Sequence, residues 1–246
     1  MICTPDMSIL DMVVCARIDR RTGCFDPVES VAPACKRPEN SNTLMTNRIK
    51  QASTSMTLLK RDTHHHTYAD YLTWPDSQSG ELINGTAYVR EPPAPSPSHQ
   101  EIVVELCRQS ANALKDRPCR VYVAPFDVRL PKSTELDDEV DTVVQPDVLI
   151  VCDLEKIDAR GMRGAPDWVA EVLSPNTARY DRIVKIPVYE RAGVREVWLI
   201  HPVDRTVIIY KLEAGHYGRP TTLELKGQIQ LSAVPGVVID WDQVLA

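Results

Sequence analysis

Bulk positive charge is missing from this chain. Its 246 residues carry 28 Lys and Arg against 34 Asp and Glu, a net charge of −6. It is therefore no generic basic nucleic-acid binder. Long apolar runs are missing too: none approaches the ~18–20 residues of a membrane span. No GxGxxG, P-loop or GxSxG motif occurs, which leaves no glycine-rich phosphate cradle and no nucleophile elbow. Cys3, Cys15, Cys24 and Cys35 follow no zinc-ligand spacing. Aromatic residues are few, at 6%. What is present is globular in character: 43% apolar, 25% charged, mean hydropathy −0.23. Those values exclude a fully disordered chain, a collagen and a polytopic membrane protein.

The averages conceal a split. Residues 1–62 hold nine basic and seven acidic side chains, whereas residues 63–246 hold 19 basic and 27 acidic. Four of the seven cysteines fall in the first 35 positions. Residues 1–62 sustain no period of 2 or 3.6 and read as a weakly ordered N-terminal extension. The working domain is expected at 63–246. Asp6 and Asp11 interrupt the first apolar run, and no basic n-region precedes it, so no signal peptide is expected. A cytoplasmic location follows, with the cysteines mostly free thiols. Cys107, Cys119 and Cys152 lie in apolar patterns and read as buried core thiols.

Local signals then outline the domain. Thr67 caps a short helix that ends at Pro75. Asn84-Gly85, between two alternating runs, predicts a hairpin. Apolar spacing through His99, Ile102, Val103, Leu106 and Ala113 predicts a helix. CRVYVAPFDVRL (119–130) and VVQPDVLIVC (143–152) read as strands, the second central because it is nearly all apolar. Residues 131–142 carry five acids and read as an exposed loop. APDWVAEVLS (165–174) is another strand. A helix over 174–193 starts at a Ser174 or Asn176 cap, stops at Gly193, and must bend at Pro187. EVWLIHP and TVIIYKL are strands, and the chain closes with a helical turn. The fold class is α/β with a mixed central sheet flanked by helices.

Polar residues inside apolar strands carry the chemistry. Asp147 and Glu171 each sit in such a run. A buried carboxylate must be neutralised, paired or bound to a cation. Two on neighbouring strands need a positive partner, and a hard divalent cation suits oxygen ligands. Asp181, Lys185 and Tyr189 recur at helical spacing and share one face; the plain reading of the first two is a surface ion pair. His64-His65-His66 cannot all face one ion from regular structure.

In this order, TYADYL, GELINGTAYV, PAPSPSHQ, VAPFDVRL, VVQPDVLIVCD, GAPDWVAEVLSP and DRIVKIPVYERAGVREVWLI resemble the Uma-two family. These are restriction-endonuclease-like proteins of the PD-(D/E)XK nuclease superfamily. The resemblance spans about residues 63–246. It implies a restriction-endonuclease-like core and Mg²⁺- or Mn²⁺-dependent hydrolysis of DNA. Pro146-Asp147 and Glu171 match the superfamily's first two elements, but Leu173 stands where its lysine is expected. The resemblance makes Lys185 the migrated lysine and Glu81 an additional acid in the metal shell. His99 and Gln100 match a family HQ pair and, with Arg179 and Arg182, are expected to meet the substrate. The alternatives are a non-catalytic interaction module on the same fold, or a phosphodiesterase acting on RNA or nucleotides. Apolar strands near the C-terminus suggest a homodimer.

Overall fold

The computed structural model describes residues 60–62, 64–75, 80–89, 95–175 and 177–244. All belong to a compact unit at 56–246. The expected extension lies almost wholly outside the described residues, and so does Asn176.

β1 (Lys60–Asp62) precedes a one-turn helix, α1 (Tyr68–Tyr71), where the Thr67 N–H donates to the Asp70 carboxylate at 2.8 Å. β2 (Gly80–Ile83) and β3 (Thr86–Val89) form the expected hairpin. Asn84 (φ 49°) and Gly85 (φ 78°) supply the two left-handed positions that a type I′ turn needs. α2 (Pro97–Ala113) starts with Ser96 accepting the His99 N–H at 3.3 Å, and Pro97 at its first position has no N–H to leave unpaired.

β4 (Arg120–Val123), β5 (Val128–Arg129), β6 (Val143–Val144) and β7 (Val148–Val151) follow. Then come β8 (Ile157–Asp158), β9 (Gly161–Arg163) and β10 (Trp168–Val172). α3 (Ala178–Tyr180), a π turn (Asp181–Lys185) and α4 (Ile186–Ala192) make one bent helical segment. β11 (Glu196–His201), β12 (Thr206–Glu213), β13 (His216–Tyr217), β14 (Thr221–Glu224), β15 (Gln228–Gln230), β16 (Val238–Asp240) and α5 (Trp241–Val244) complete the chain.

The strands build two seven-stranded sheets and a small β15–β16 pair. The first runs β1-β3-β2-β6-β5-β9-β8, the second β13-β12-β11-β10-β7-β4 with β14 on β12. Among the described pairings only β5–β9 and β10–β11 are parallel. The α/β class is as expected, with two sheets in place of one central sheet.

Two expected strands are each cut in half, and the halves join different sheets. Residues 119–130 break at a cis Ala124–Pro125 bond into β4 and β5. Residues 143–152 break at Gln145–Asp147 into β6 and β7. Pro146 has no N–H for a ladder, so the chain leaves one sheet there and enters the next. The site described below lies at this crossing.

Two further expectations are refined and a third is corrected. The acidic segment 131–142 is largely an exposed loop, as expected, with a turn at Asp137–Glu139 and with Val140 and Thr142 buried. The helix over 174–193 contains a π turn just before Pro187, because a wider turn accommodates a ring that would clash with the preceding carbonyl. Gly193, at φ 88°, ends it as expected. Cys119 and Cys152 are not free thiols; their sulfurs are bonded across the antiparallel β4–β7 pair.

Strand parity divides the core. Trp168, Ala170 and Val172 of β10 pack with Ile102 and Leu106 of α2, and with Trp198 and Trp241. Trp168 and Trp198 meet edge-on at 5.5 Å. Val169 and Leu173 face the opposite layer, with Leu149, Val151, Tyr180, Ile186 and Tyr189. Among the described residues no helix is long and apolar enough to cross a membrane.

Candidate active site

Parity sets the site. Asp147 shares its side of β7 with Leu149 and Val151, and Glu171 shares its side of β10 with Val169 and Leu173. Trp168 faces Ile150 and Ala170 faces Val148, and Glu171 and Asp147 each lie one residue beyond this last rung. Both carboxylates therefore leave neighbouring strands toward the helical segment. Glu81 comes from the other sheet, on the side of β2 that also carries Ile83 into this layer.

Lys185 closes the cluster from the π turn. Its Nζ lies 2.5 Å from Glu171 Oε1, 3.0 Å from Glu81 Oε1 and 3.9 Å from Asp181 Oδ1. The Tyr189 hydroxyl donates to Glu171 Oε1 at 2.5 Å. Glu81 Oε1 also accepts the Gln145 N–H at 2.7 Å. Gln145 is held in turn: its Nε2 donates to Asp127 Oδ1 at 2.7 Å and to the Tyr71 hydroxyl at 3.1 Å. Asp147 Oδ2 accepts the Val172 N–H at 2.8 Å and lies 3.2 Å from His99 Nε2. The Tyr180 hydroxyl neighbours Glu81 outside good hydrogen-bond geometry.

Four carboxylates and one lysine are buried together: Glu81, Asp147, Glu171, Asp181 and Lys185. Burial drives Glu171 up from its ordinary 4.5 to about 8, against the pull of Lys185. Burial likewise raises Asp181 from 3.8 to about 6. For Lys185, burial favours the neutral amine, but Glu171, Glu81 and Asp181 outweigh it and hold the charge well beyond the usual lysine range. Asp147 feels burial too, yet the His99 hydrogen bond and the charge of Lys185 keep it below its ordinary value. One lysine thus faces more acid than it can neutralise.

The donor set fits a hard divalent cation. Asp147 Oδ1 and Glu171 Oε2 accept no hydrogen bond among the described residues, while their partner oxygens are pinned. Oxygen ligands on adjacent strands, with a third acid alongside, are what Mg²⁺ or Mn²⁺ prefers. Among the described residues no three acid or histidine groups already stand in ligating geometry, since Lys185 bridges two of the acids.

The structure thus brings together Glu81, Asp147, Glu171 and Lys185, with His99 at the edge. Gln100, Arg179 and Arg182 are exposed and outside the cluster. Asp181 and Lys185 are buried, which overturns the plain reading of a surface pair. His64 and His66 bond Asp62 instead of sharing an ion.

Sequence reasoning missed Gln145, whose amide is visible only beside Pro146-Asp147. It also missed Arg129. That guanidinium is fully buried, bonded to Asp137 and, at 2.7 Å, to both oxygens of Asp158, and it stacks over Tyr68. The charged run 135–141 held part of the signal: its Asp137 answers the buried cation.

A crystal structure described as a putative nuclease belonging to DUF820, from Anabaena variabilis ATCC 29413, is similar in fold, with a TM-score of 0.55 and 20% identity. The match covers 72% of this chain and 96% of that one. No curated protein matches the chain. The family model Uma2, described as "Putative restriction endonuclease", matches residues 68–242, and on that match the chain belongs to the Uma2 family.

Proposed function

We propose that this chain is a Mg²⁺- or Mn²⁺-dependent endonuclease that hydrolyses DNA phosphodiester bonds in the cytoplasm. One observation carries the reading: Glu81 and Glu171 converge on Lys185, and Asp147, held by the Val172 N–H of β10 and by His99, is buried in the same cluster, which is short of positive charge. Asp147 and Glu171 would hold the cation, and Glu81 would complete its shell. When bound, such an ion supplies Lewis-acid polarisation of a phosphoryl oxygen and lowers the pKa of water.

The chain's own groups do the rest. Lys185 holds Glu81 and Glu171 together and sets a fixed positive charge beside the reacting phosphate, where negative charge develops. Tyr189 and Gln145 hold the two glutamates in place. Gln100, Arg179 and Arg182 take the phosphate backbone locally, which an acidic domain needs because phosphate binding is largely electrostatic. A homodimer is part of the proposal; sedimentation checks it.

Plasmid cleavage in Mg²⁺ or Mn²⁺ tests the reading, with wild type beside Asp147→Ala and Lys185→Ala. Cleavage by wild type alone supports it. Equal cleavage by all three sinks it. The rival, a non-catalytic module, draws on the fact that Lys185 already bridges two acids; absence of Mn²⁺ binding in calorimetry would favour it.

A further inference from the structure

His99 lies in the first turn of α2 with its Nε2 3.2 Å from Asp147 Oδ2. Each side chain is only 12% exposed. The same Oδ2 accepts the Val172 N–H at 2.8 Å. A carboxylate held by one donor still rotates about its Cβ–Cγ bond. Two donors on one oxygen, one from α2 and one from β10, fix its plane.

The ring's orientation follows from its other nitrogen. His99 Nδ1 is buried and has no hydrogen-bond partner among the described residues. A proton there would be a buried donor with nothing to meet, whereas a proton on Nε2 bonds the carboxylate. The ring therefore donates to Asp147. That engages Oδ2 and leaves Oδ1, which has no donor among the described residues.

We propose that His99 is a positioning residue: it pins Asp147 through Oδ2 so that Oδ1 is preorganised as the oxygen offered to a divalent cation. The proposal rests on the reading of Asp147 as a metal ligand. It gives the first member of the HQ pair a role on the protein side of the site instead of on the substrate. Hydrogen-bonded partners of metal ligands commonly contribute about 10- to 100-fold in affinity.

The test is Mn²⁺ titration by calorimetry on the full chain, with thermal unfolding of each variant recorded alongside. His99→Leu fills the space without a donor, and His99→Gln retains one. His99→Leu is expected to weaken Mn²⁺ binding by about 10- to 100-fold, and His99→Gln to recover most of that loss. Equal affinity for wild type and His99→Leu overturns the proposal and leaves the metal site standing. Equal weakening in both variants also overturns it, because a packing role does not distinguish Leu from Gln. If the wild type binds no Mn²⁺, the metal reading itself fails and this proposal falls with it.

Discussion

Lys185 Nζ lies 2.5 Å from Glu171 Oε1, although the lysine belongs to the π turn and the glutamate to β10. Leu173, two residues after Glu171 on the same side of the strand, packs into the apolar layer. Under the proposed function, an amine delivered from the helix serves where the strand itself offers no lysine. It also reaches Glu81 on the other sheet, at 3.0 Å.

Replacing that amine separates chemistry from folding. Lys185→Met should lower DNA cleavage by about 100-fold or more, the scale of a lost electrostatic stabiliser. It should remain folded near pH 6 and lose stability toward pH 8, as the acids it faced ionise without a partner. Initial cleavage rates and circular dichroism across that range check both. Undiminished cleavage would remove Lys185 from the chemistry.

Protonation of the cluster should be visible in stability. Glu171 rises from 4.5 to about 8 and Asp181 from 3.8 to about 6 on folding. A raised carboxyl binds its proton more tightly when folded, so its contribution is complete at low pH and fades as pH climbs through the folded value. With chelator present, the unfolding free energy should therefore fall between about pH 5 and 8, by up to about 1.4 kcal/mol per pH unit for each proton released. Asp147, shifted the other way, contributes stability that is lost only at acid pH, below this window. Mn²⁺ should flatten the slope. A stability that rises across the window contradicts the expectation.

Arg129 should matter to folding rather than to cleavage chemistry. It ties β5 to Asp137 in the acidic segment and to Asp158. Arg129→Leu removes one member of a buried ionic group, a change that costs about 3 kcal/mol in such settings. Urea unfolding should report that loss, and limited proteolysis should show earlier cutting within 131–142. An unchanged midpoint would mean that water takes over the freed acids.

The Cys119–Cys152 bond should stabilise the domain by about 3–4 kcal/mol through the loop it closes, which spans a sequence separation of 33. Thiol titration of unreduced, denatured protein should therefore give the same count for wild type as for a variant with both cysteines replaced by serine. The Cys119→Ser, Cys152→Ser double variant should unfold at lower denaturant. A higher count in the wild type would show the pair reduced.

Local chemistry was legible in the linear chain. Asn84-Gly85 specified its turn, Gly193 ended α4, and the apolar runs marked Asp147 and Glu171 as buried acids, Glu171 inside β10 and Asp147 just before β7. These signals act over a few residues, so neighbours in sequence suffice to read them. Tertiary structure decided what spans longer distances. Residues 143–152 read as one strand, and only the packed fold sends β6 and β7 to different sheets and brings Glu81 across to Lys185. The fate of Asp181, the pairing of Cys119 with Cys152, and the burial of Arg129 likewise depend on partners from remote segments. Charge type is written in the chain, whereas burial, and with it the energy of that charge, exists only once the layers close.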